Sequence, residues 1–359
     1  MLTFLIFFVI LFVLIISHEC GHFFSARWFG IRVDEFGFGL PPRIYGAQKG
    51  KTFYSLNWLP FGGFVRIYGE EGENDAPDSF SNKSALIRSL VLVSGVLANI
   101  LFAYLVFNFL ATRGIVEPLL EEEVLGMPDA RIMIVEIAPF SPAFVAGLQA
   151  GDVVLQLGET MDNVFIPQTI GELQTYIKER AGQEIAMLIE RDGSEVFLTL
   201  EPRAVSPLGE GPLGVALSWT RLKRASWYEV PIVGAQLTYQ ATARTIGGFA
   251  DVIRDVFRGK GREVSVAGPV GIFRIVGDAQ SSGLDMVLFL TAVLSINLAL
   301  INILPIPGLD GGRFAFVLVE TITRRRISSR ISAVVHGAGL AFLLTLMILV
   351  TYLDLTSIF

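Results

Sequence analysis

Apolar positions along the chain gather into a few long runs separated by polar stretches of very different character. Leu2–Ile16 is apolar except for Thr3. A membrane span needs about 20 residues, so this run continues through Ser17–Phe24 and carries His18, Glu19 and His22 with it. It lacks the basic start and the small-residue cleavage site of a secretory signal peptide. Ala85–Ala111 is a second run of spanning length, with Gly95, Ala98 and Asn99 inside it. Small residues at such positions let helices approach closely in a bilayer. Leu284–Val319 is a third run, interrupted at Asn302–Gly312 by two prolines and three glycines, and Ile331–Leu353 is a fourth.

The stretches between these runs predict the rest of the organisation. Arg27–Arg88 reads as a polar loop. Tyr54, Leu56 and Trp58 alternate with polar residues, Phe64–Ile67 alternates again, and Pro60-Phe61-Gly62-Gly63 lies between, so a hairpin is expected over about 53–68. Glu70–Ser84 is acidic and polar and is expected to be mobile. Arg113–Trp227 has no run of spanning length. Short strand-like runs recur at Ile132–Ile137, Asp152–Leu157, Ile185–Arg191 and Glu195–Leu200. Thr169–Arg180 reads as one helix and Asp192-Gly193 as a hairpin turn. Tyr228–Phe257 places Val233, Leu237, Ile246, Phe249, Ile253 and Phe257 near helical spacing. It fits a helix lying on a membrane surface and equally a helix packed on its own domain. The expected architecture is a multi-pass α-helical membrane protein with four spans, a membrane-associated β-hairpin and an inserted, mostly β domain. Residues 1–112 and 284–359 form the membrane part, with spans at about 2–24, 85–111, 284–319 (broken at 302–312) and 331–353. Residues 113–227 hold the β domain, and 228–283 an amphipathic helix and connector.

Composition agrees with this division. Of 359 residues, 52% are hydrophobic and only 17% charged, against about 25% charged in an average soluble protein; the mean hydropathy is +0.58. The net charge of −6 argues against a nucleic-acid partner, which selects basic proteins. A single cysteine, Cys20, excludes a disulfide framework and a cysteine-only zinc knuckle. The basic residues also set an orientation. Arg27–Arg88 holds eight Lys/Arg and Arg324–Arg330 holds four, so both loops are expected in the cytoplasm. The inserted domain, with twelve acidic and five basic residues over Asp129–Arg203, is then expected outside.

The chemistry is concentrated in the first span. His18-Glu19-Cys20-Gly21-His22 matches H-E-x-x-H. Positions i and i+4 share a helix face, so two imidazoles can hold one metal ion. Zinc lowers the pKa of a bound water to about 7, and Glu19, at the edge of that face, is placed to take its proton. Three ionisable groups inside one span are costly without a role. A catalytic zinc site usually has a third protein ligand, and position 28, where a longer motif of this kind places another histidine, is Trp28. Asp310, in the interrupted run Asn302–Gly312, is the leading candidate, because broken helices occur at membrane depth where they line a buried or wet site. Taken alone, Asp310 fits a helix N-cap equally well; the Pro/Gly break and the missing ligand favour the metal. His336 is an alternative third ligand, read more simply as a polar packing residue in the last span. Cys20 points off the histidine face and is expected to be inert.

With these motifs in order, the chain resembles the site-2 protease family of intramembrane zinc metalloproteases, in particular the bacterial group that regulates sigma-E. The resemblance rests on His18–His22, Gly37-Phe38-Gly39 followed by the hairpin, Asp78–Lys83 leading into a span with Gly95 and Asn99, and Asn302–Gly312. It also rests on Ala138–Ala143 and Gly147–Val154, which are similar to bacterial protease-type PDZ domains. The resemblance implies that Asp310 completes the zinc site. It also implies that Asn302 handles substrate, and we assign Pro305 and Pro307 of the same signature to substrate binding beside it. Members with tandem PDZ domains differ from this chain, where Arg113–Trp227 has room for one.

The expected function is therefore hydrolysis of a peptide bond in or near the transmembrane segment of a single-span protein, such as an anti-sigma factor or a remnant signal peptide, in regulated intramembrane proteolysis. One Zn2+ per chain is expected on His18, His22 and Asp310, with Glu19 as general base. The lipid bilayer is a partner, and peptide C-termini or extended segments are candidate partners at the PDZ domain. The expected location is the bacterial inner membrane, with the active site toward the cytoplasm and the PDZ domain outside. The rivals are an intramembrane metal transporter, which leaves Glu19 unexplained, and an inactive PDZ-bearing scaffold, which leaves the intact His18-Glu19…His22 set unexplained.

Overall fold

The computed structural model describes residues 1–70, 76–119, 124, 127, 129–158, 164–191, 193–207, 209–258 and 268–356. The chain divides into two compact units. The first comprises Met1–Phe109, Pro231–Ser281 and Met286–Phe359; the second comprises Leu110–Val230 and Ser282–Asp285.

Among the described residues, four helices are long and apolar enough to cross a membrane: α1 (Leu2–Trp28), α2 (Ala85–Arg113), α7 (Leu284–Ile303) and the Arg330–Thr356 part of α9 (Ser329–Thr356). Much of their surface is exposed side chain such as Phe4, Leu101, Phe289 and Leu346, as expected where lipid replaces water. The third apolar run is not one span with an interruption. α7 ends at Ile303, Leu304–Leu309 leaves the helix, and α8 (Asp310–Thr323) starts afresh. Pro305 and Pro307 remove two backbone donors there, which a continuous helix requires.

The cytoplasmic-loop expectation underestimated the β structure. β1 (Val33–Lys49) and β2 (Thr52–Ile67) form a hairpin closed by the two-residue turn Gly50-Lys51, where Gly50 has φ +63°. Tyr54–Trp58 and Phe64–Ile67 do not pair with each other across Pro60–Gly63. Both belong to β2 and both lie against the same stretch of β1: Phe36 is paired with Tyr54 on one side and Val65 on the other. The segment 35–38 is thus central, and 63–67 forms an outer row with pairing on one side only among the described residues. The described part of Glu70–Ser84 is also held: Phe80 is buried, its N–H donates to the Tyr68 carbonyl at 2.8 Å, and the Arg32 N–H donates to the Asp78 carbonyl at 3.0 Å. Residues 71–75 lie outside the described residues.

α5 (Val230–Phe257) packs on other helices of its own compact unit, in line with the second reading of its pattern. Gly234 lies against Asn108 of α2, and Thr245 Oγ1 donates to Asn297 Oδ1 of α7 at 2.9 Å. Asn297 lies about 20 Å along α7 from its start at 1.5 Å per residue. α5 therefore runs along membrane helices, with Gly234 and Thr238 buried and Ile232, Tyr239 and Ile246 exposed. α6 (Pro269–Ser281) is anchored differently: the Asp354 carboxylate near the end of α9 accepts the Gly268 and Gly271 N–H groups at 3.2 and 2.8 Å.

The second unit is built on an antiparallel sheet in the order β3 (Ile115–Leu119), β9 (Val215–Lys223), β4 (Arg131–Ile137), β5 (Val153–Gly158), β7 (Ile185–Arg191), β8 (Ser194–Leu200), with β6 (Val164–Phe165) paired to β5. Its helices are α3 (Pro142–Val145) and α4 (Ile170–Glu179). Thr169 caps α4 by accepting the Glu172 N–H, and Leu173, Tyr176 and Ile177 face a core with Ile134, Leu157, Met187 and Trp219. Asp152 is 1% exposed and holds Arg191 through Nε at 2.7 Å and Nη2 at 2.6 Å, while its Oδ2 accepts the Gln149 N–H at 2.7 Å. A buried charge needs such a full set of partners, and here they close the loop Gly147–Asp152. Arg191 pairs with Ser194 and Gly193 has φ +76°; Asp192, the other residue of the expected turn, lies outside the described residues. β3 and β9 were not anticipated.

Candidate metal centre

His18 and His22 stand one turn apart on α1, both buried, with ring centroids 4.8 Å apart. Their Nε2 atoms approach to 3.2 Å. Asp310 Oδ2 lies 2.8 Å from His18 Nε2 and 3.0 Å from His22 Nε2. One donor atom of each residue therefore points at a common spot, although Asp310 is 292 residues from His18. The break makes this possible. Gly308 sits at φ +96° with its Cα against the backbone of Leu340, and a Cβ on Gly311 would collide with the Ile303 and Leu304 carbonyls. Asp310 is the first residue of α8 and not its cap: the N-cap is Leu309, without a side-chain bond, so the carboxylate is free for the histidines.

α2 completes the setting. The ring Nδ1–H of His22 donates to the Val91 carbonyl at 2.9 Å, which turns its Nε2 lone pair toward Asp310. One turn on, Gly95 packs against both rings; a Cβ there would collide with His22 Nε2 and lie 2.7 Å from His18 Cε1. Gly21 of α1 packs as tightly on the Ser94 carbonyl. With neutral rings, His22 Nε2 and the Asp310 carboxylate face each other as two acceptors at 3.0 Å. A cation between them resolves that conflict, and two imidazoles with a carboxylate are a donor set suited to zinc. The residues fit the metal.

Glu19 is half-buried beside this cluster, its Cγ 3.1 Å from where a Cβ on Gly63 would sit. Glu19, His22 and Asp310 form one wall of a cavity of about 500 Å³, and Gly63–Ile67 of β2 forms another. Arg66, Asp34, Glu70 and Arg313 also line it, with Arg313 ion-paired to Glu70. Reading the sequence passed over Gly63 and Arg313. The spacing of Arg313, three residues after Asp310 and so on the same helix side, was the available signal.

The other singled-out residues lie elsewhere. His336 Nδ1 accepts the Gly308 N–H at 3.1 Å and its ring meets Phe316 edge-on, so it braces the break and stands outside the trio. Cys20 is a half-buried free thiol and not one of the three. Asn302 is half-buried in the last turn of α7 and Pro305 is exposed. Pro307 packs its backbone on Gly339 of α9. None of these last three lines the cavity with Asp310.

Residues 6–346 match the model of peptidase family M50. The chain belongs to peptidase family M50. This is the site-2 protease family to which the motifs pointed, a family of intramembrane zinc metalloproteases. Among its relatives is a Clostridium perfringens protein named "Putative zinc metalloprotease CPE1693", 30% identical over 95% of each chain. The zinc metalloprotease RasP of Oceanobacillus iheyensis is 26% identical over the full length of both chains. The chloroplastic membrane metalloprotease ARASP of Arabidopsis thaliana is 30% identical over 86% of this chain and 68% of its own.

Proposed function

We propose that this M50 protein is a zinc endopeptidase that hydrolyses a peptide bond within or near the transmembrane segment of single-span membrane proteins. The observation that carries the reading is the convergence of His18, His22 and Asp310, with Glu19, His22 and Asp310 lining one cavity together with the outer row Gly63–Ile67 of β2. His18, His22 and Asp310 hold the metal. When bound, zinc supplies a Lewis acid that polarises the scissile carbonyl and acidifies the attacking water.

Glu19 takes the proton of that water and hands it to the leaving amine, so the proton balance of hydrolysis closes on one carboxylate. A helical substrate keeps its amides in i to i+4 hydrogen bonds, so it must unwind before attack. The outer row Gly63–Ile67 supports a place for the unwound segment, because an extended chain can add to it as a strand. Gly63, without a side chain, lets that strand lie close to Glu19. Asn302, with Pro305 and Pro307, holds substrate at the neighbouring break.

The second unit works as a PDZ domain outside the cytoplasm. Its peptide groove is the edge of β9 at Val215–Ser218 beside α4, since among the described residues β3 pairs with Trp219–Lys223 of β9 and leaves Val215–Ser218 uncovered on that side. Extended segments or C-termini of substrates dock there. The protein resides in the bacterial inner membrane, with its active site toward the cytoplasm, and cleaves anti-sigma-factor-like proteins or remnant signal peptides in regulated intramembrane proteolysis.

The test is cleavage of a panel of single-span proteins by purified wild type and Glu19→Gln, with zinc content measured on both. Wild-type cleavage, at least about 100-fold loss in the variant and zinc in both establish the reading. Equal cleavage by both removes Glu19 from the mechanism. Zinc without cleavage of any span favours transport.

A further inference from the structure

A histidine that binds a metal through one ring nitrogen nearly always donates the other ring N–H to a fixed acceptor, which sets its tautomer and aim. His22 obeys this through the Val91 carbonyl. His18 does not: its Nδ1 is buried and has no protein partner among the described residues. One other buried side chain nearby has the same defect. Asn99 is 0% exposed, and neither its Oδ1 nor its Nδ2 has a partner.

The helix register brings the two together. α1 and α2 run antiparallel: His22 meets Val91, His18 meets Gly95, Ser17 Oγ donates to the Ala98 carbonyl at 3.3 Å, and Leu14 packs in one cluster with Phe102. Asn99 is one turn beyond Gly95 on the same face of α2 and sits between the levels of His18 and Leu14. Its backbone is tied there by Ser295 Oγ, which donates to the Asn99 carbonyl at 2.8 Å. An amide with both ends unpaired is expensive in an apolar interior. Moreover, the register of α2 places it one turn from Gly95, which packs on His18, the ligand that lacks its anchor.

We propose that Asn99 is the positioning residue for His18, joined to it by one buried water that accepts the His18 Nδ1–H and donates to Asn99 Oδ1. The site offers that water up to three polar partners, Nδ1 of His18 and both amide atoms of Asn99, within the number a buried water needs. The water holds Nδ1 protonated and leaves the Nε2 lone pair for the metal, as Val91 does for His22. The inference rests on the reading that the trio holds zinc.

The experiment measures zinc affinity of the purified full-length chain by chelator competition, alongside the ring ¹⁵N shifts of His18 in the zinc-free protein. Asn99→Leu, which keeps the bulk and removes the hydrogen bonds, is expected to weaken zinc by about 10- to 100-fold. Asn99→Asp and Asn99→Ser, which keep an acceptor, are expected to restore it. A general packing defect would give no such rescue. Wild-type affinity in Asn99→Leu overturns the proposal. If that variant does not fold, the wild-type spectrum decides: a His18 ring protonated at Nδ1 alone supports the water bridge, and an averaged or Nε2-protonated ring overturns it. Failure of the wild type itself to bind zinc would instead remove the metal reading.

Discussion

Gly95 shows how much of this site is decided at residues that carry no chemistry. Its missing side chain is what allows α2 to lie against both imidazoles. Gly95→Ala must push one helix or rotate both rings, because the new methyl would overlap His22 Nε2. A misplacement of about 1 Å at a catalytic group costs about 100-fold. The expected outcome is a loss of that order in cleavage together with weakened zinc binding, measured on protein that still extracts as a folded species. Unchanged zinc affinity would mean that the rings tolerate the displacement and that the trio is less tightly held than its contacts indicate. The residues that the structure brings together here were legible as candidates because their signals are local: His18, Glu19 and His22 through helical spacing inside an apolar run, Asp310 through an improbable Pro/Gly break. Gly63 and the Arg313–Glu70 pair were not, because their part in the cavity comes from elements far apart in sequence, and a glycine in a Gly-rich stretch reads as a turn.

At the scale of elements, the region between the first two spans was the hardest to read. Gly37, Gly39, Pro41, Pro42 and Gly46 punctuate β1, and such residues ordinarily mark loops. The strand survives because its register breaks around them, so that 35–38 faces two different rows of β2. β2 in turn reaches α1 at Gly63, which lies against Ile15 and Glu19. Gly63→Val is therefore expected to separate the strand edge from α1 and to lower cleavage sharply while leaving zinc affinity near wild type, since the atoms nearest that position belong to Ile15, Glu19 and Gly37 and not to the three donors. Parallel measurement of both quantities checks it; a variant that loses zinc as well would tie β2 to the metal centre and away from substrate pairing. α5 carries the complementary lesson. Its periodicity was visible, but amphipathicity alone does not say what the polar side meets, and Thr245 on Asn297 answers that only in three dimensions.

For the whole molecule, charge supplies the expectation of which side of the membrane each part faces. Arg27–Arg88 and Arg324–Arg330 concentrate Lys/Arg in the two loops that four spans are expected to place together, and the −7 region between α2 and α7 is expected on the other side. Translocating basic loops is disfavoured, whereas acidic domains cross readily. The chain has one cysteine, Cys20, so after Cys20→Ser single cysteines can report side unambiguously. In intact cells stripped of their outer layers, an impermeant maleimide is expected to modify Glu195→Cys at once and Arg325→Cys only after the membrane is opened. Glu195 lies on exposed β8 and Arg325 in the exposed turn between α8 and α9, so neither result can be blamed on burial. With that orientation, β2 and the end of the break at Asp310 both approach the cytoplasmic face, and a trimmed substrate must present its span from the outer side while being opened from the inner one. The reverse labelling pattern would place the acidic sheet domain in the cytoplasm, and its proposed role as a PDZ domain outside the cytoplasm would fall.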